Sequence, residues 1–438
     1  MSEDVLKPVN ELLMSGYVGQ GDKVDQFEKL ITAYNGNPHI NTVNSATSGL
    51  HLALRMTNCN EGDEVLTTPL TCFATIAPIL ANGYKVKWVD VDTNTCNLDL
   101  DDLERKLSPT TKAIMAVHWG GYPVDLSRLK LIQNKCQSLY GHTPDIIEDC
   151  AHAWGSTYRD KILGNHGNTC VFSFQAIKHI TSVDGGCIAH PNESSWKRAK
   201  NLRWYGLDRT KSADYRCEQN IQEWGYKFHM NDLNATIGMA NLIHANKMVE
   251  TNKANATHYN FALQSVHGLK LMENEEDRES ASWIYTIRVK NRDNFIKMMT
   301  EKGIAVSRVH NRNDEHDCME EFKCALPSLD EVCKDMICIP CGWGKNISTE
   351  DNKELNKILA AAVTSSKPTN PRRGRAYDDG WDEDDMAKSG LTQWSTSDGK
   401  VFFPTSHTKQ ELTPGVYEVR MNPSQGLYFQ KVPTKGES

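Results

Sequence analysis

A chain of 438 residues is too long for one small core, so two or three domains are expected. Its 39% hydrophobic and 24% charged residues are those of an ordinary soluble protein, and a formal net charge of -7 argues against a nucleic-acid partner held by overall positive charge. No apolar run approaches the roughly 20 residues of a membrane span, and the acidic start Met1-Ser2-Glu3-Asp4 lacks a secretory pattern, so a cytoplasmic protein with no membrane partner is expected.

Between residues 40 and 190, short apolar runs alternate with helical patterns. Val43-Asn44-Ser45 leads into a helix starting near Thr47 and carrying Leu50, Leu52, Ala53 and Leu54. Strand-like runs follow at 64–68, 85–91, 113–118, 145–149, 171–174 and 186–189, with a helix at 73–80. The alternation predicts an α/β fold whose large domain holds a mostly parallel sheet covered on both faces. Ligands gather at the carboxyl ends of such strands. Ser45, Asp149 and Lys178 all fall at or just beyond strand ends, so they can converge.

Residues 232–262 read as one long helix with Leu233, Ile237, Met239, Ala240, Leu242 and Ile243 on its apolar face. A smaller α/β unit follows: strand 283–289, helix 294–302 closed by Gly303, strand 304–307, and a last helix 349–363. From Ser365 the composition changes to prolines and arginines, then six acids within Asp378–Asp385, the pattern of a solvated, disordered linker. The expected division is a large domain 1–245, a small domain 246–365, a linker 366–390 and a β-rich tail 391–438. The tail is too short for a large core of its own, which makes another protein its expected packing partner.

Thirteen cysteines, an odd number scattered through a long chain, read as reduced thiols. Cys338-Ile339-Pro340-Cys341 has metal or redox spacing, but it sits in an apolar strand running into a turn and no second pair follows, so no metal is expected.

The segment Ser173-Phe174-Gln175-Ala176-Ile177-Lys178-His179, ending in Asp184-Gly185-Gly186, carries the chemistry. A lysine among apolar residues is partly desolvated, which favours the neutral, nucleophilic amine. Such an amine condenses with an aldehyde, and pyridoxal phosphate is the cofactor that most uses this reaction. Alone, Lys178 reads more readily as a side chain whose stem lies on apolar surface and whose head reaches water; the rest of the chain reverses that. Three further elements would complete the cofactor's needs. Asp149, at a strand end, can keep a pyridine nitrogen protonated, and His152 can hydrogen-bond a phenolic oxygen. Asn44-Ser45-Ala46-Thr47-Ser48-Gly49 before a helix is a phosphate cradle, or simply an N-cap. Phe73 is the candidate flat partner for the ring.

These stretches, in order, resemble the DegT-type nucleotide-sugar aminotransferases, a branch of the fold-type-I pyridoxal phosphate enzymes. The resemblance runs from about Ser15 to Val363. It rests on Ser15-Gly16-Tyr17-Val18-Gly19-Gln20-Gly21, the run from Ser45 to Leu54, and Val89-Asp90-Val91-Asp92. It continues through Glu148-Asp149-Cys150-Ala151-His152-Ala153-Trp154-Gly155, the lysine segment, and the run from Gly225 to Leu233. The resemblance implies that Lys178 holds the cofactor covalently, that Asp149 pairs with its ring nitrogen, and that His152 lies near its phenolic oxygen. It also implies that Phe73 stacks on the ring and that Thr47, Ser48 and Ser173 bind the phosphate. Asn231 is implied to reach the phosphate of the neighbouring subunit's cofactor, which makes the enzyme a homodimer. Two positions depart from the pattern: Ala46 where glycine is frequent and Asp184 where glutamate is common.

The implied activity is transamination of a keto-sugar nucleotide with glutamate as amino donor, in amino-sugar or surface-glycan biosynthesis. The alternatives are a pyridoxal-phosphate sugar dehydratase, in which histidine replaces the lysine, and a non-catalytic cofactor-binding regulator. His179, beside Lys178, is the residue the dehydratase alternative would use.

Overall fold

The computed structural model describes residues 1–211 and 218–342, together with 357–358, 361, 394–395, 401–402, 417–422 and 426–431. The chain divides into two units, Met1–Ser366 and Lys367–Ser438.

The first unit opens with helices α1 (Leu6–Ser15) and α2 (Asp22–Asn35). Strand and helix then alternate: β1 (Ile40–Val43), α3 (Ala46–Arg55), β2 (Glu64–Thr67), α4 (Phe73–Ala81), β3 (Lys85–Trp88) and α5 (Leu100–Arg105). Next come β4 (Thr111–Val117), α6 (Leu126–Tyr140), β5 (Asp145–Asp149), the short β6 (Thr157–Tyr158) and β7 (Lys161–Ile162), β8 (Thr169–Ser173), β9 (Gly186–Ala189) and α7 (Glu193–Leu202). Seven of these strands form one sheet in the order β1-β9-β8-β5-β4-β2-β3. Only β9 runs against its neighbours. The mostly parallel sheet read from the sequence is therefore observed.

Apolar residues on both faces explain why the strands are nearly continuous hydrophobic runs. Ile146 and Phe172 pack with α2 and α6 residues on one face, and Ile147 and Val171 with α3 and α4 residues on the other. Alternation along β5 therefore sends Glu148 and Asp149 to opposite faces. Helix α3 lies hard on the second face because Gly49 has no side chain: a Cβ there would meet Val171 Cγ1 at 2.8 Å and Val43 Cγ2 at 3.3 Å.

After the sheet come α8 (Asp232–Leu242) and α9 (Ala245–Leu263), where the sequence predicts a single helix. The break falls at Ile243-His244; α8 packs on α2, while α9 residues Ala256, Tyr259 and Leu263 enter a separate core. One continuous helix cannot serve both. That core is closed by β10 (Leu269–Leu271), β12 (Tyr285–Val289) and β13 (Met336–Ile339), an antiparallel sheet in the order β10-β12-β13, with α10 (Arg292–Glu301) against it. The short β11 (Arg278–Glu279) instead pairs with β6, and α11 (Pro327–Asp335) precedes β13. The strand expected at 304–307 does not form; Ser307 makes only an isolated bridge to Cys338. Cys338 and Cys341 are buried in and just after β13, and no disulfide forms among the described cysteines.

In the second unit the described residues form two antiparallel pairs, β14 (Trp394–Ser395) with β15 (Val401–Phe402) and β16 (Tyr417–Asn422) with β17 (Gly426–Lys431). The expected linker and most of the last helix lie outside the described residues.

Candidate active site

Three strand ends meet where the site forms. Val43 of β1 and Ser173 of β8 both pair with Gly186, the first residue of β9. Asp149 ends β5, in register with Val171. Asp149 and Ser173 thus stand at the carboxyl ends of strands, where parallel sheets collect ligands.

Helix α3 begins directly beyond β1. Ser45 is its N-cap; its Oγ accepts from the Ser48 N–H at 3.1 Å and donates to Ser48 Oγ at 3.0 Å. The first amides of a helix have no intrahelical acceptor, so the Ala46 and Thr47 N–H groups stay available, with the helix dipole behind them. A Cβ at Gly186 would lie 2.9 Å from Ala46 N and 2.6 Å from Phe172 O, so glycine keeps this cradle clear. Ser173 Oγ accepts from the Gln175 N–H at 3.3 Å, which leaves its own hydroxyl hydrogen to donate. Thr47 is exposed, Ser48 half-buried and Ser173 buried.

Asp149 is buried, and both carboxylate oxygens are engaged. Thr75 Oγ1 donates to Oδ2 at 2.7 Å and the Ala151 N–H to Oδ1 at 3.0 Å. Thr75 lies in the first turn of α4, two residues after Phe73, and Thr71 Oγ1 in turn lies 2.8 Å from Thr75 Oγ1. The sequence gives little notice of Thr75 beyond a hydroxyl inside an apolar helix. Phe73 meets the His316 ring edge-on at 5.4 Å. The loop that carries His310 and His316 is stitched to the approach to α4: Asn313 donates from its backbone to Pro69 O at 2.9 Å and from Nδ2 to Thr71 O at 2.8 Å.

Lys178 follows β8 in a turn closed by its own N–H to Gln175 O at 2.9 Å. Its amine lies 3.7 Å from the centre of the Trp283 ring. Desolvation lowers its pKa to about 8, opposed by the negative charge of Asp149 and by Cys72. The neutral amine is thus within reach near pH 7. Trp283 precedes β12; its Nε1–H donates to Ile177 O at 2.9 Å, and its ring stacks on His152 at 4.0 Å and 22°. His310 lies parallel to His152 at 5.6 Å, and Trp119 meets both edge-on. Burial keeps His152 neutral, its pKa held well below the usual range with help from the charge of Lys178. His310 is pushed down to about 4 by burial and then by Lys178. His152 Nδ1 and His310 Nε2 are buried without a hydrogen-bond partner, two polar atoms that a bound molecule would satisfy.

His179 is turned elsewhere: buried, with Nε2–H donating to Ala281 O at 3.0 Å. Asn231 is the N-cap of α8, its Oδ1 accepting from the Asn234 N–H at 2.8 Å. Asn234 Nδ2 donates to Ser182 O and Asp184 O, which ties that helix to the end of the lysine loop.

A second cluster, His118, Glu148 and Cys150, has metal-ligand composition and is fully buried. Its hydrogen bonds argue against a metal. The Val124 N–H donates to His118 Nδ1 at 3.0 Å, which places the ring proton on Nε2, pointing at Glu148 Oε2 at 2.9 Å. Asn168 Nδ2 occupies the other Glu148 oxygen at 2.8 Å. No lone pair on the imidazole is left for an ion.

Amine, carboxylate, neutral histidine and helix N-terminus together have the composition that pyridoxal phosphate requires, and the orphaned His152 nitrogen and the cleared cradle at Gly186 fit that group. Residues 1–359 match the DegT/DnrJ/EryC1/StrS aminotransferase family. AtS13 of Actinomadura melliaura is 45% identical, with a TM-score of 0.79, over 84% of this chain and 96% of that one. The sugar aminotransferase CalS13 of Micromonospora echinospora is 40% identical, also at 0.79, over 82% and 97%. The spore coat polysaccharide biosynthesis protein SpsC of Bacillus subtilis is 32% identical over 66% of this chain and 74% of its own. The fold is that of the pyridoxal-phosphate-dependent sugar aminotransferases. The chain belongs to the DegT/DnrJ/EryC1/StrS aminotransferase family. No helix among the described residues is long and apolar enough to cross a membrane.

Proposed function

We propose that this enzyme aminates a keto-sugar carried on a nucleotide, taking the amino group from glutamate. The observation that carries the reading is the meeting of a desolvated Lys178 amine with the buried Asp149 carboxylate beside the α3 N-terminus. When bound, pyridoxal phosphate supplies an electron sink for the bond broken at the donor's α-carbon. Lys178 would hold the cofactor and, once released, would move a proton from the donor's α-carbon to the cofactor's C4′, then in the second half-reaction from C4′ to the former ketone carbon of the sugar. Asp149, held by Thr75 and Ala151, would keep the ring nitrogen protonated. His152 would donate to the phenolic oxygen, Phe73 would cover the ring, and Thr47, Ser48 and Ser173 would hold the phosphate. Donor and acceptor use one site in turn, so the kinetics are ping-pong.

We further propose a homodimer in which Asn231 serves the neighbouring subunit's cofactor. Met14 and Tyr17 are 81% and 83% exposed, in and just after α1, and the loop after them is tied to α8 by Asp232 N–H to Gly19 O at 2.8 Å. A second copy is the natural cover for that apolar surface beside Asn231. The dehydratase alternative is disfavoured by His179, whose ring is committed to Ala281 O.

The test is mass spectrometry of products from purified enzyme, glutamate and a panel of keto-sugar nucleotides. The expected result is an amino-sugar nucleotide with stoichiometric 2-oxoglutarate; loss of water from the sugar without amination would overturn the reading.

A further inference from the structure

We propose that Trp283 is a positioning residue for Lys178: its indole face is the resting place of the lysine's free ammonium, and its N–H anchors the turn that carries the lysine. The inference rests on the reading of Lys178 as the cofactor lysine. A lysine that both holds a cofactor and moves protons must spend part of each cycle detached, and a detached four-carbon side chain has many rotamers to visit. Something must keep its amine near the reacting carbon.

Trp283 is built for that task from three directions. The Lys178 amine lies 3.7 Å from the ring centre, well within the range at which an aromatic face attracts an ammonium. The Nε1–H donates at 2.9 Å to the carbonyl of Ile177, the residue immediately before the lysine, so ring and backbone are fixed together. The ring is itself immobile: it is 3% exposed, stacks on His152 at 4.0 Å, and its backbone N–H donates to Gly120 O at 3.0 Å. It enters the site from the segment preceding β12, whereas Lys178 follows β8, so the contact joins two parts of the chain 105 positions apart in sequence.

The other groups that act on Lys178 are Asp149 and Cys72, which favour its charge. His152, His179 and His310 lie close enough to feel that charge, and burial keeps each neutral. Trp283 offers a π face at contact distance to the amine. That gives the proposal a sign. Trp283→Leu keeps an apolar neighbour but removes the π face, so the ammonium loses a partner. If the ring acted only by shielding the amine from water, shrinking it would admit solvent and favour the ammonium instead.

The experiment is competitive labelling with acetic anhydride of the full-length holoenzyme converted to its pyridoxamine phosphate form, in which Lys178 is free. Acetylation of the Lys178 peptide is followed by mass spectrometry across pH. In Trp283→Leu the labelling midpoint should fall by about half a unit to one and a half units. Trp283→Phe, which keeps a ring without the N–H, should lie between. Turnover should fall in kcat with little change in KM for either substrate. An unchanged or raised midpoint in Trp283→Leu overturns the proposal. If that variant does not fold, Trp283→Phe decides, since a midpoint equal to or above the wild type overturns it equally. Borohydride reduction of wild-type enzyme, which tags the lysine that holds the cofactor, tests the underlying reading separately.

Discussion

Glu148 and Asp149 are consecutive residues of one strand, both buried carboxylates, yet their surroundings differ in kind. Glu148 faces a closed network: His118 and Asn168 occupy its two oxygens, and the Val124 N–H completes the histidine. Asp149 faces Thr75 and the Ala151 N–H on one side and the Lys178 amine across the site. Near it, His152 Nδ1 and His310 Nε2 have no partner. Both carboxylates are satisfied; what separates the two sides is the partner each faces, a histidine and an amide for Glu148 and a desolvated lysine amine for Asp149. Buried polar atoms cost free energy when unpaired, and these two belong to rings that feel the charge of Lys178. The partner a buried carboxylate faces, more than the residue type, distinguishes a structural acid from a chemical one.

The sharpest way to break that comparison is to neutralise each acid in turn. Asp149→Asn should lower transamination by about 10²-fold or more, because it removes the charge that keeps the ring nitrogen protonated. Glu148→Gln should leave kcat within a few-fold and instead destabilise the fold by about 1–3 kcal/mol, since the amide's NH₂ would face a donor already in place. Steady-state kinetics and urea unfolding on the two variants check this; equal losses of activity would erase the distinction.

Thr75→Val sharpens the comparison by removing a single hydrogen bond from Asp149. Hydrogen bonds to charged groups contribute about 1.5–3 kcal/mol, so the loss in kcat should be about ten- to a hundredfold, measured under saturating donor and acceptor. An effect confined to thermal stability would place Thr75 with the closed network instead.

Much of this arrangement can be read from the chain before any fold is known. Lys178, Asp149 and the cradle at Ser45–Ser48 announce themselves because each sits where an apolar run ends, and strand ends are where a parallel sheet collects ligands. Thr75, Trp283 and His310 do not. Thr75 is a lone hydroxyl in an apolar helix, and Trp283 reads as the start of an ordinary strand. His310 lies in a polar loop whose local pattern indicates no contact. Their roles depend on pairing between segments distant in sequence, which local patterns do not encode. The same limit explains the single helix expected at 232–262: its apolar spacing is continuous, and only the existence of two cores requires the break at Ile243-His244.

A smaller effect concerns His179, neutral and buried beside the lysine. Its pKa is pushed down to about 4 by burial from an ordinary 6.5. As pH falls below about 6.5, the unfolded chain takes up a proton that the folded protein refuses. Stability therefore falls between pH 6.5 and about 4 and levels off below. Urea unfolding across this window should show a shallower decline in His179→Gln than in the wild type; parallel curves would remove His179 from the account.

The smallest expected effect is that of the second unit. The family match ends at residue 359, before Lys367–Ser438 begins. Truncation after Ser366 should leave turnover per active site unchanged and the cofactor's absorbance intact. A truncated protein that stays dimeric yet loses that absorbance would show that the tail supports the site.

The central claim is that Lys178 is the lysine of this enzyme's chemistry, and borohydride reduction of the holoenzyme followed by peptide mapping tests it most directly. The account predicts the pyridoxyl mass on the peptide that contains Lys178, and its absence in Lys178→Ala. Tagging of any other lysine in the wild-type protein would contradict it.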